Sequence, residues 1–366
     1  MANLLANQFS SVYSKPDESL PSAESFFSDD DGSEFSSFLL SIKDFLDAID
    51  KTKMNSGAGP DGLPAIFLKK CSLNVVKPLR LLWQKCFDEG KTPSALKYPI
   101  VFPLHKGGSK GFRVNYRPIT SSSHIIKIFE KVISCKLYEY IEEKNHLNPP
   151  NQHGFRHGYS CLSELLSHYD EILSILESRG CADVVYLDFS NTFDKVDFGV
   201  LLSKLKQLGI GGKVGRWIYS FLTNRFQRVS VNGALSELFK VLSGVPQGSV
   251  LGPLLFLVMI SDIDTSLIGR KSTLRSFADD SRVVSPVFSA TDISEFQKDL
   301  CTVYDWAEAN KMTFNDTKFE VMRYNISNVM LPDPIYYSPS GDQIAIKSSL
   351  SNLGVVMSHD CCFQAT

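Results

Sequence analysis

The stretch Asp183–Phe189, DVVYLDF, has the character of a buried strand, because β-branched and aromatic residues lead up to a single carboxylate. Further along, two apolar strands flank Phe277–Asp280, FADD, which predicts a hairpin with two more carboxylates at its tip. A carboxylate at the end of an apolar strand is costly to bury without a cation or a hydrogen-bond donor. If these strands are neighbours, Asp188, Asp279 and Asp280 converge on one point.

Three clustered carboxylates are the kind of ligand set that Mg²⁺ uses together with water and substrate phosphates. Two divalent ions about 4 Å apart can drive in-line phosphoryl transfer. Each motif also has a structural explanation, with Asp188 as a helix N-cap and Asp279–Asp280 as a turn. For each motif taken alone the structural explanation is the stronger one, so the surrounding sequence has to decide.

Composition leaves the class of partner open. The chain has 366 residues and a net charge of −2, and its hydrophobic fraction of 43% is ordinary for a globular protein of two or three lobes. Residues 1–50 hold ten acidic and two basic residues, and the remainder carries 36 basic against 30 acidic. Such mild basicity neither demands nor excludes nucleic acid. The eight cysteines lack zinc-site spacing and fit free thiols in a reducing compartment.

The order of elements predicts an α+β protein, with helices first and then strands and helices interleaved. Residues 1–35 are rich in Ser, Asp and Glu, so we expect a disordered acidic lead there. The longest apolar stretch, Val250–Ile260, is too short to span a bilayer and no signal peptide is evident, so we expect no membrane partner. Periodicity predicts helices at Ala65–Glu89, Ser123–Asn145, Ser160–Gly180, Gly199–Leu208, Lys213–Thr223 and Ser294–Asn310, and strands at Pro99–Leu104, Arg228–Asn232, Phe239–Leu242 and Lys318–Tyr324.

Seven motifs in a fixed order overturn the structural explanation. They are Asn115–Thr120 (NYRPIT), Gln152–Ser160 (QHGFRHGYS), Leu187–Asp197 (LDFSNTFDKVD), Gly244–Phe256 (GVPQGSVLGPLLF), Phe277–Asp280 (FADD), Asn310–Met322 (NKMTFNDTKFEVM) and Leu353–Val356 (LGVV). From about Gly57 to the end, this series resembles reverse transcriptases, most closely the non-LTR retrotransposon branch that includes the jockey-like elements. FADD alone is weak evidence, but VPQGSVLGP following LDFSNTFD is a specific pair.

The resemblance implies a right-hand polymerase fold of fingers and palm, with an antiparallel palm sheet packed on helices and the thumb largely absent. We place the N-terminal helices and fingers at 36–180 and the palm, with part of the fingers inserted, at 181–366. The implied activity is RNA-directed DNA synthesis, in which dNTPs are added to a primer 3′-hydroxyl. Its partners would be an RNA template and a DNA primer or target DNA, and its cofactors two Mg²⁺ ions, for which Mn²⁺ can substitute.

In that family the metal ligands match Asp188, Asp279 and Asp280, together with the backbone carbonyl of Phe189. Lys318 resembles the lysine that protonates the pyrophosphate leaving group, and a solvated surface lysine is an equally good explanation.

Contacts to the nucleotide are implied at five further positions. Lys106 and Arg117 match the triphosphate contacts, because an arginine can hold phosphate oxygens in a fork. Phe193 matches the aromatic residue that excludes a 2′-hydroxyl, with a core phenylalanine as the alternative. Gln247 and Gly248 match residues under the incoming base pair, where a glycine permits close approach of the backbone.

Arg156 is expected to contact the template backbone or to brace the fingers. The sequence also departs from the family pattern, at Asn191–Thr192 where Lys-Ala is common, and at Leu96, Phe198 and Phe319. None of these departures removes a metal ligand, although Thr192 lies beside the implied nucleotide site and can lower activity.

Three alternatives compete with an active reverse transcriptase. A maturase of the group II intron type would carry a basic RNA-binding region after the thumb, which we do not find. An RNA-dependent RNA polymerase would carry Gly-Asp-Asp and would not be expected to carry Phe193. An inactive or co-opted element fragment that only binds RNA is the remaining alternative. The first 56 residues are too short and too acidic for a nuclease and the chain ends where a thumb would begin, so we expect a truncated copy, a gene-model fragment or part of a larger polyprotein. The sequence weakly favours cytoplasm and nucleus as locations.

Overall fold

The structure is a computed structural model that describes residues 1–15, 20–28, 32–144, 151–325, 330–361 and 364–365. Its α-helices in these ranges are α1 (Ala2–Ser10), α2 (Ala23–Phe26), α3 (Ile42–Asp50), α4 (Ala65–Lys70), α5 (Ser72–Asp88), α6 (His124–Glu143), α7 (Cys161–Glu177), α8 (Phe198–Gln207), α9 (Gly212–Leu222), α10 (Gly252–Met259) and α11 (Ala290–Ala309). The strands are β1 (Ile100–His105), β2 (Tyr116–Ser121), β3 (Cys181–Leu187), β4 (Phe226–Val231), β5 (Ala234–Leu235), β6 (Phe239–Lys240), β7 (Thr273–Phe277), β8 (Asp280–Val287), β9 (Glu320–Tyr324), β10 (Ala345–Ile346), β11 (Ser349–Asn352), β12 (Val355–Ser358) and β13 (Gln364–Ala365).

Capping boxes set where three of the helices begin. The side chains of Ser41, Ser160 and Ser289 each accept a hydrogen bond from the backbone three residues on, and the residue there bonds back. Helix α11 consequently starts at Ala290, four residues before the predicted Ser294. The predicted end of α6 at Asn145 lies outside the described residues.

The chain forms two compact units that alternate along the sequence. One unit comprises Met1–His146 and Phe193–Met259, and the other comprises Leu147–Thr192 and Ile260–Thr366. The sequence predicts fingers at 36–180 and a palm at 181–366 with part of the fingers inserted, and this assignment of lobes stays a prediction.

The unit that contains β3 is built on a five-stranded sheet in the order β10-β9-β3-β8-β7. All its neighbouring pairs are antiparallel except β10 with β9. Helix α7 packs its apolar side on this sheet, and α11 contacts β8. The shared core contains Leu165, Tyr169, Ile172, Leu176, Ala182, Val184, Val284, Met322 and Tyr324. The predicted α+β class, with an antiparallel sheet packed on helices, is confirmed.

The other unit combines a helical core with a small sheet. Trp83 on α5 stacks on Phe129 of α6 at 4.3 Å between ring centroids, and Trp217 of α9 meets Phe129 edge-on at 5.0 Å. Such aromatic pairs add about 0.5–1.5 kcal/mol to their area burial. The sheet runs β2-β1-β4-β5, with β6 also paired to β4. Its β1–β4 pair is parallel, and the others are antiparallel.

The disordered lead predicted at 1–35 is wrong where the structure describes it. Leu5, Ala6 and Phe9 on α1 are buried with Val101 of β1 and Val229 of β4. The few apolar residues of the acidic lead are spaced at helical intervals, so they pack on the inner strands β1 and β4 of the small sheet despite the polar composition around them. The predicted lead also includes 16–19 and 29–31, which lie outside the described residues.

Among the helices that the structure describes, none combines the length and the apolar character that a bilayer crossing requires. The longest, α6 and α11, have 20 residues each and carry many charged side chains.

Candidate functional site

Asp188 is the first residue after β3, at the point where the most buried strand of the sheet ends. Its backbone carbonyl accepts a hydrogen bond from the Asn315 backbone N–H at 2.8 Å. Its carboxylate oxygen Oδ2 lies 2.9 Å from the Nζ atom of Lys318 and 3.3 Å from the Nδ2 atom of Asn315. The loop before β9 therefore supplies both a cation and an amide donor to this carboxylate.

Asp279 and Asp280 lie at the tip of the β7–β8 hairpin. Phe277 pairs with Asp280, so the turn itself has only two residues, Ala278 and Asp279. Ala278 has a φ of 56°, in the left-handed region that a residue with a Cβ rarely adopts. The backbone is therefore strained one residue before the first carboxylate.

The strand register brings the three carboxylates together. Leu187 of β3 pairs with Ser281 of β8, so Asp188 and Asp280 continue the same antiparallel register. Desolvation, followed by the negative charges of Asp279 and Asp188, raises the pKa of Asp280, although this residue keeps an exposed surface. The strands that lead to Asp188 and Asp280 are neighbours, while convergence of the three carboxylates on a metal ion stays a prediction.

Thr192 connects two parts of this cluster. Its hydroxyl donates to Asp279 Oδ2 at 3.2 Å and lies 3.5 Å from the Phe189 carbonyl oxygen. Asn191 before it has a φ of 51°, which turns the chain back toward the hairpin tip. Phe189 itself is buried and stacks on Phe314 at 4.4 Å. The departure from the family pattern at Thr192 therefore adds a donor to a candidate metal ligand.

In the described part of the chain, no three His, Cys, Asp or Glu side chains form a group ready to hold a metal ion. Asp188 is turned toward Lys318 and Asn315, and Asp279 toward Thr192. The donor set nevertheless fits a divalent cation chemically. Three carboxylates lie at the ends of two adjacent strands, where desolvation, followed by the negative charges of Asp279 and Asp188, raises the pKa of Asp280, and a bound cation would offset those charges.

Arg156 is buried within its own loop. It is 8% exposed, its guanidinium carbon lies 4.6 Å from the Tyr159 ring centroid, and its Nη1 atom is 3.3 Å from the Gln152 carbonyl oxygen. Of the two roles expected for it, this geometry favours bracing the loop. A direct template contact is not supported, because little of the side chain reaches the surface.

Gln247 and Gly248 lie in the other unit, on the loop before α10. The Nε2 atom of Gln247 donates to Asp194 Oδ2 at 2.7 Å, and the Gln247 carbonyl accepts from the Thr120 backbone at 2.7 Å. Gly248 has a φ of 100°, and a Cβ there would lie 2.8 Å from the Thr120 carbonyl oxygen. The glycine is thus already required by the protein's own strand β2, whatever a nucleotide requires.

Phe193 stacks on Phe256 of α10, with ring centroids 4.8 Å apart, and is partly exposed. Its backbone carbonyl accepts from the Val245 N–H at 2.9 Å, which ties the turn after Thr192 to the loop of Gln247. A partly exposed ring anchored on a buried one is compatible with both a sugar contact and a core role.

Lys106 and Arg117 lie on the β1–β2 hairpin, within the same unit as Gln247. Leu104 pairs with Arg117, and the Lys106 N–H donates to the Asn115 carbonyl at 2.9 Å. Both side chains are exposed. The β1–β2 hairpin therefore places the positively charged side chains of Lys106 and Arg117 near each other along one strand pair.

Three polar residues that bear on these sites were not predicted. Gln152 accepts a hydrogen bond from the Ala278 backbone in the β7–β8 turn, and Asn315 donates one to the Asp188 carboxylate. Asp194 accepts a hydrogen bond from the Gln247 amide. Each lies within a quoted motif, so the signal was available. What the sequence alone does not give is the partner of each side chain.

Comparison with known proteins points in one direction. Residues 104–357 match the family model described as reverse transcriptase (RNA-dependent DNA polymerase). The chain is 29% identical over 287 residues to the "Probable RNA-directed DNA polymerase from transposon X-element" of Drosophila melanogaster, a match that covers 77% of this chain and 31% of that protein. It is 28% identical over 288 residues to the RNA-directed DNA polymerase from mobile element jockey of the same fly, covering 76% and 31%.

The fold also has a counterpart among solved structures. An apo telomerase from Candida tropicalis, truncated from its C-terminal domain, superposes with a TM-score of 0.51 at 10% identity. The match covers 78% of this chain and 60% of the telomerase chain. Identity this low is informative about the fold alone.

Proposed function

Because this chain belongs to the reverse transcriptase (RNA-dependent DNA polymerase) family, in the branch carried by non-LTR retrotransposons, we propose that it supplies the nucleotidyl-transfer centre of an RNA-directed DNA polymerase. The observation that carries the proposal is the convergence of Asp188, Asp279 and Asp280 at the ends of adjacent strands. The chain spans about a third of the length of the curated relatives that it matches. The activity, template and primer of those longer proteins are therefore part of the proposal.

The family depends on divalent metal ions, and the three aspartates are the residues that would hold them, assisted by the carbonyl of Phe189. The proposed ions are two Mg²⁺, with Mn²⁺ as a substitute. Bound ions would supply activation of an attacking oxygen and neutralisation of the departing phosphate charge. Asp188 would exchange its contacts with Lys318 and Asn315 for this role, and Asp279 its contact with Thr192.

In the proposed reaction the primer 3′-oxygen bonds to the α-phosphorus of a dNTP, and the bond from that phosphorus to the bridging oxygen breaks. The hydroxyl proton leaves with a base or with water, and pyrophosphate departs. Lys318 is the proposed proton donor to that leaving group. Its ammonium lies beside Asp188, so it is held at the carboxylate cluster.

The unit that contains β1 and β2 carries the proposed nucleotide contacts. Lys106 and Arg117 would bind triphosphate oxygens, since both are exposed cations on one hairpin. Phe193 would exclude a 2′-hydroxyl, and Gln247 and Gly248 would lie under the incoming base. The hydrogen bond from Gln247 to Asp194 supports this role by fixing the orientation of the amide.

The test is primer extension by the purified chain on an RNA template with dNTPs and Mg²⁺. We expect extension by the unaltered chain and none above background for Asp279→Ala/Asp280→Ala. The matched control is Asp170→Ala/Asp305→Ala, which removes two exposed aspartates from α7 and α11 and should leave extension intact. A folded unaltered chain that extends no primer would contradict the proposal and favour a copy that only binds RNA.

A further inference from the structure

The tip of the carboxylate hairpin is held by one buried side chain from a distant part of the sequence. The Gln152 Oε1 atom accepts from the Ala278 backbone N–H at 2.8 Å, and its Nε2 atom donates to the Ala278 carbonyl at 3.3 Å. The same Oε1 atom also accepts from the Gly154 N–H at 2.7 Å. The amide of Gln152 thus binds both backbone polar groups of the residue before Asp279.

The backbone around Gln152 reinforces this contact. Asn151 accepts from the Ser276 N–H at 2.7 Å, and the His153 N–H donates to the Ser276 carbonyl at 3.0 Å. Residues 151–153 therefore add a short parallel pairing to the free edge of β7. This pairing fixes Gln152 in register with the hairpin, two residues before the tip.

Gly154 leaves no room for a side chain at the same place. A Cβ on this residue would lie 2.1 Å from the Ala278 nitrogen and 2.8 Å from its Cα atom, distances that no real Cβ contact tolerates. The loop therefore touches the tip with backbone as well as with the Gln152 amide. These are two independent contacts on one residue.

Ala278 requires such support because its φ of 56° is unfavourable for a residue with a Cβ. A two-residue turn with one strained position has other conformations of similar energy, and each would point Asp279 differently. The hydrogen bonds from Gln152 exist only in the observed conformation, so they select it from these alternatives.

We propose that Gln152 and Gly154 are positioning residues that hold the Ala278 turn so that Asp279 and Asp280 face a divalent cation together with Asp188. This inference rests on the proposed function for its ligand, because the aspartates must bind a cation for their orientation to matter. It adds that cation affinity depends on a side chain more than 120 residues away in sequence that does not itself bind the cation.

The first measurement is Mn²⁺ affinity of the full chain, from the electron paramagnetic resonance signal of free Mn²⁺. Gln152→Met keeps the volume and removes all three hydrogen bonds, and we expect about tenfold weaker binding, which is the effect of losing well-placed buried hydrogen bonds. Gly154→Ala should weaken binding in the same direction by displacing the tip. Asp279→Ala/Asp280→Ala defines the background.

Two controls separate positioning from general damage. Gln227→Met removes another buried glutamine, whose Nε2 atom donates to the Tyr13 hydroxyl in the other unit, and should leave Mn²⁺ affinity unchanged. Gly158→Ala changes another glycine of the same loop, which has a positive φ but nothing within 4 Å of a Cβ, and it should also leave the affinity unchanged. Circular dichroism confirms that each variant is folded.

The contacts of Gln152 and Gly154 with Ala278 are called the clamp below. The second measurement is hydrogen exchange of the Ala278 amide, which reports the clamp without any metal ion. We expect protection in the unaltered chain and its loss in Gln152→Met. Equal protection in both would overturn the clamp whatever the Mn²⁺ result, and equal Mn²⁺ affinity in a folded Gln152→Met chain would overturn its link to the cation. A third outcome is that Gln152→Met loses protection while even the unaltered chain binds no Mn²⁺. That outcome would uphold the clamp, but it would overturn the role of the clamp in cation binding and contradict the proposed function.

Discussion

The Nζ atom of Lys318 lies 2.9 Å from Asp188 Oδ2, so the candidate proton donor forms an ion pair with the candidate metal ligand. The lysine side chain is 62% exposed and the aspartate side chain 30% exposed, which places the pair at a solvated surface. An exposed pair of this kind contributes at most about 1 kcal/mol. Lys318 can therefore leave Asp188 at small cost when a stronger cation arrives.

Replacing Lys318 with methionine separates its two possible roles. We expect Lys318→Met to bind Mn²⁺ up to about fivefold more tightly, because a competing cation is removed from Asp188. If the lysine also protonates the leaving group, single-nucleotide incorporation slows. Both quantities are measured on one preparation, by metal titration and by the rate of single-nucleotide incorporation. Weaker Mn²⁺ binding would show that the pair does not compete with metal.

Thr192→Val tests the added donor at Asp279. Valine keeps the shape of threonine but leaves Asp279 Oδ2 without the hydroxyl that now lies 3.2 Å away. We expect the free energy of unfolding to fall by about 1 kcal/mol in urea titrations without metal, because a buried hydroxyl contact to a carboxylate is lost. Thr192→Ser should retain most of the stability. A Ser variant as unstable as the Val variant would assign the effect to packing.

Asp194 gives the protein a pH dependence with a defined sign. Desolvation raises the pKa of Asp194 to about 7, against the lowering effects of Gln247 and Arg225. An unfolded aspartate ionises near pH 4, so between about pH 4 and pH 7 the folded state binds more protons. The stability contribution of this group is therefore greatest below about pH 4 and falls as the pH rises to 7.

Asp194→Asn should remove that fall while keeping an acceptor for Gln247. The unfolding free energy of the variant relative to the unaltered chain is expected to rise by roughly 3–4 kcal/mol between pH 4 and pH 7.5. Urea denaturation at a series of pH values measures the difference. Parallel curves for the two proteins would show that the Asp194 carboxyl ionises normally in the folded state.

A buried ion pair braces β3, the strand that leads directly to Asp188. Arg323 on β9 bonds both carboxylate oxygens of Asp183 on β3 at 2.6 Å, and the Tyr336 hydroxyl donates to the same carboxylate at 2.5 Å. We expect Asp183→Ala to destabilise the chain by about 3–5 kcal/mol, since it leaves a largely buried guanidinium without its partner. The double variant Asp183→Leu/Arg323→Met should lose less. Urea unfolding of the unaltered chain, Asp183→Leu, Arg323→Met and the double variant closes the cycle, and additive losses would argue against coupling.

The sequence predicted the structure best where an apolar strand pattern ends at a carboxylate. The apolar run that ends at Asp188 and the FADD hairpin both imply buried strands, and their adjacency follows from the resemblance to a polymerase palm. The sequence did not reveal β2, because Pro118 lies in it opposite Pro103 of β1. Proline removes a ladder donor, so a strand that contains one has a weak signal.

The details of the site depended on tertiary partners that a linear pattern does not contain. Nothing in FADD shows that Ala278 takes a positive φ, since alanine is not a typical residue for that conformation. Gln152 stabilises it from a separate segment, and Asn315 and Lys318 similarly reach Asp188 from more than 120 positions away. Contacts of this kind follow from the packing of whole elements.

The central position of β3 has a consequence for how the chain is made. Its partners β8 and β9 lie far downstream, so Leu187 leaves the ribosome long before Glu320 is synthesised. At 5–20 residues per second the gap of about 130 residues corresponds to roughly 7–27 seconds. Until β8 is synthesised, the apolar strand β3 has neither neighbour, and from then until Glu320 it lacks one of them. An unpaired hydrophobic strand is prone to aggregate. Slow elongation would prolong this exposure, so the yield of folded protein should depend on translation rate and on chaperones that shield nascent chains.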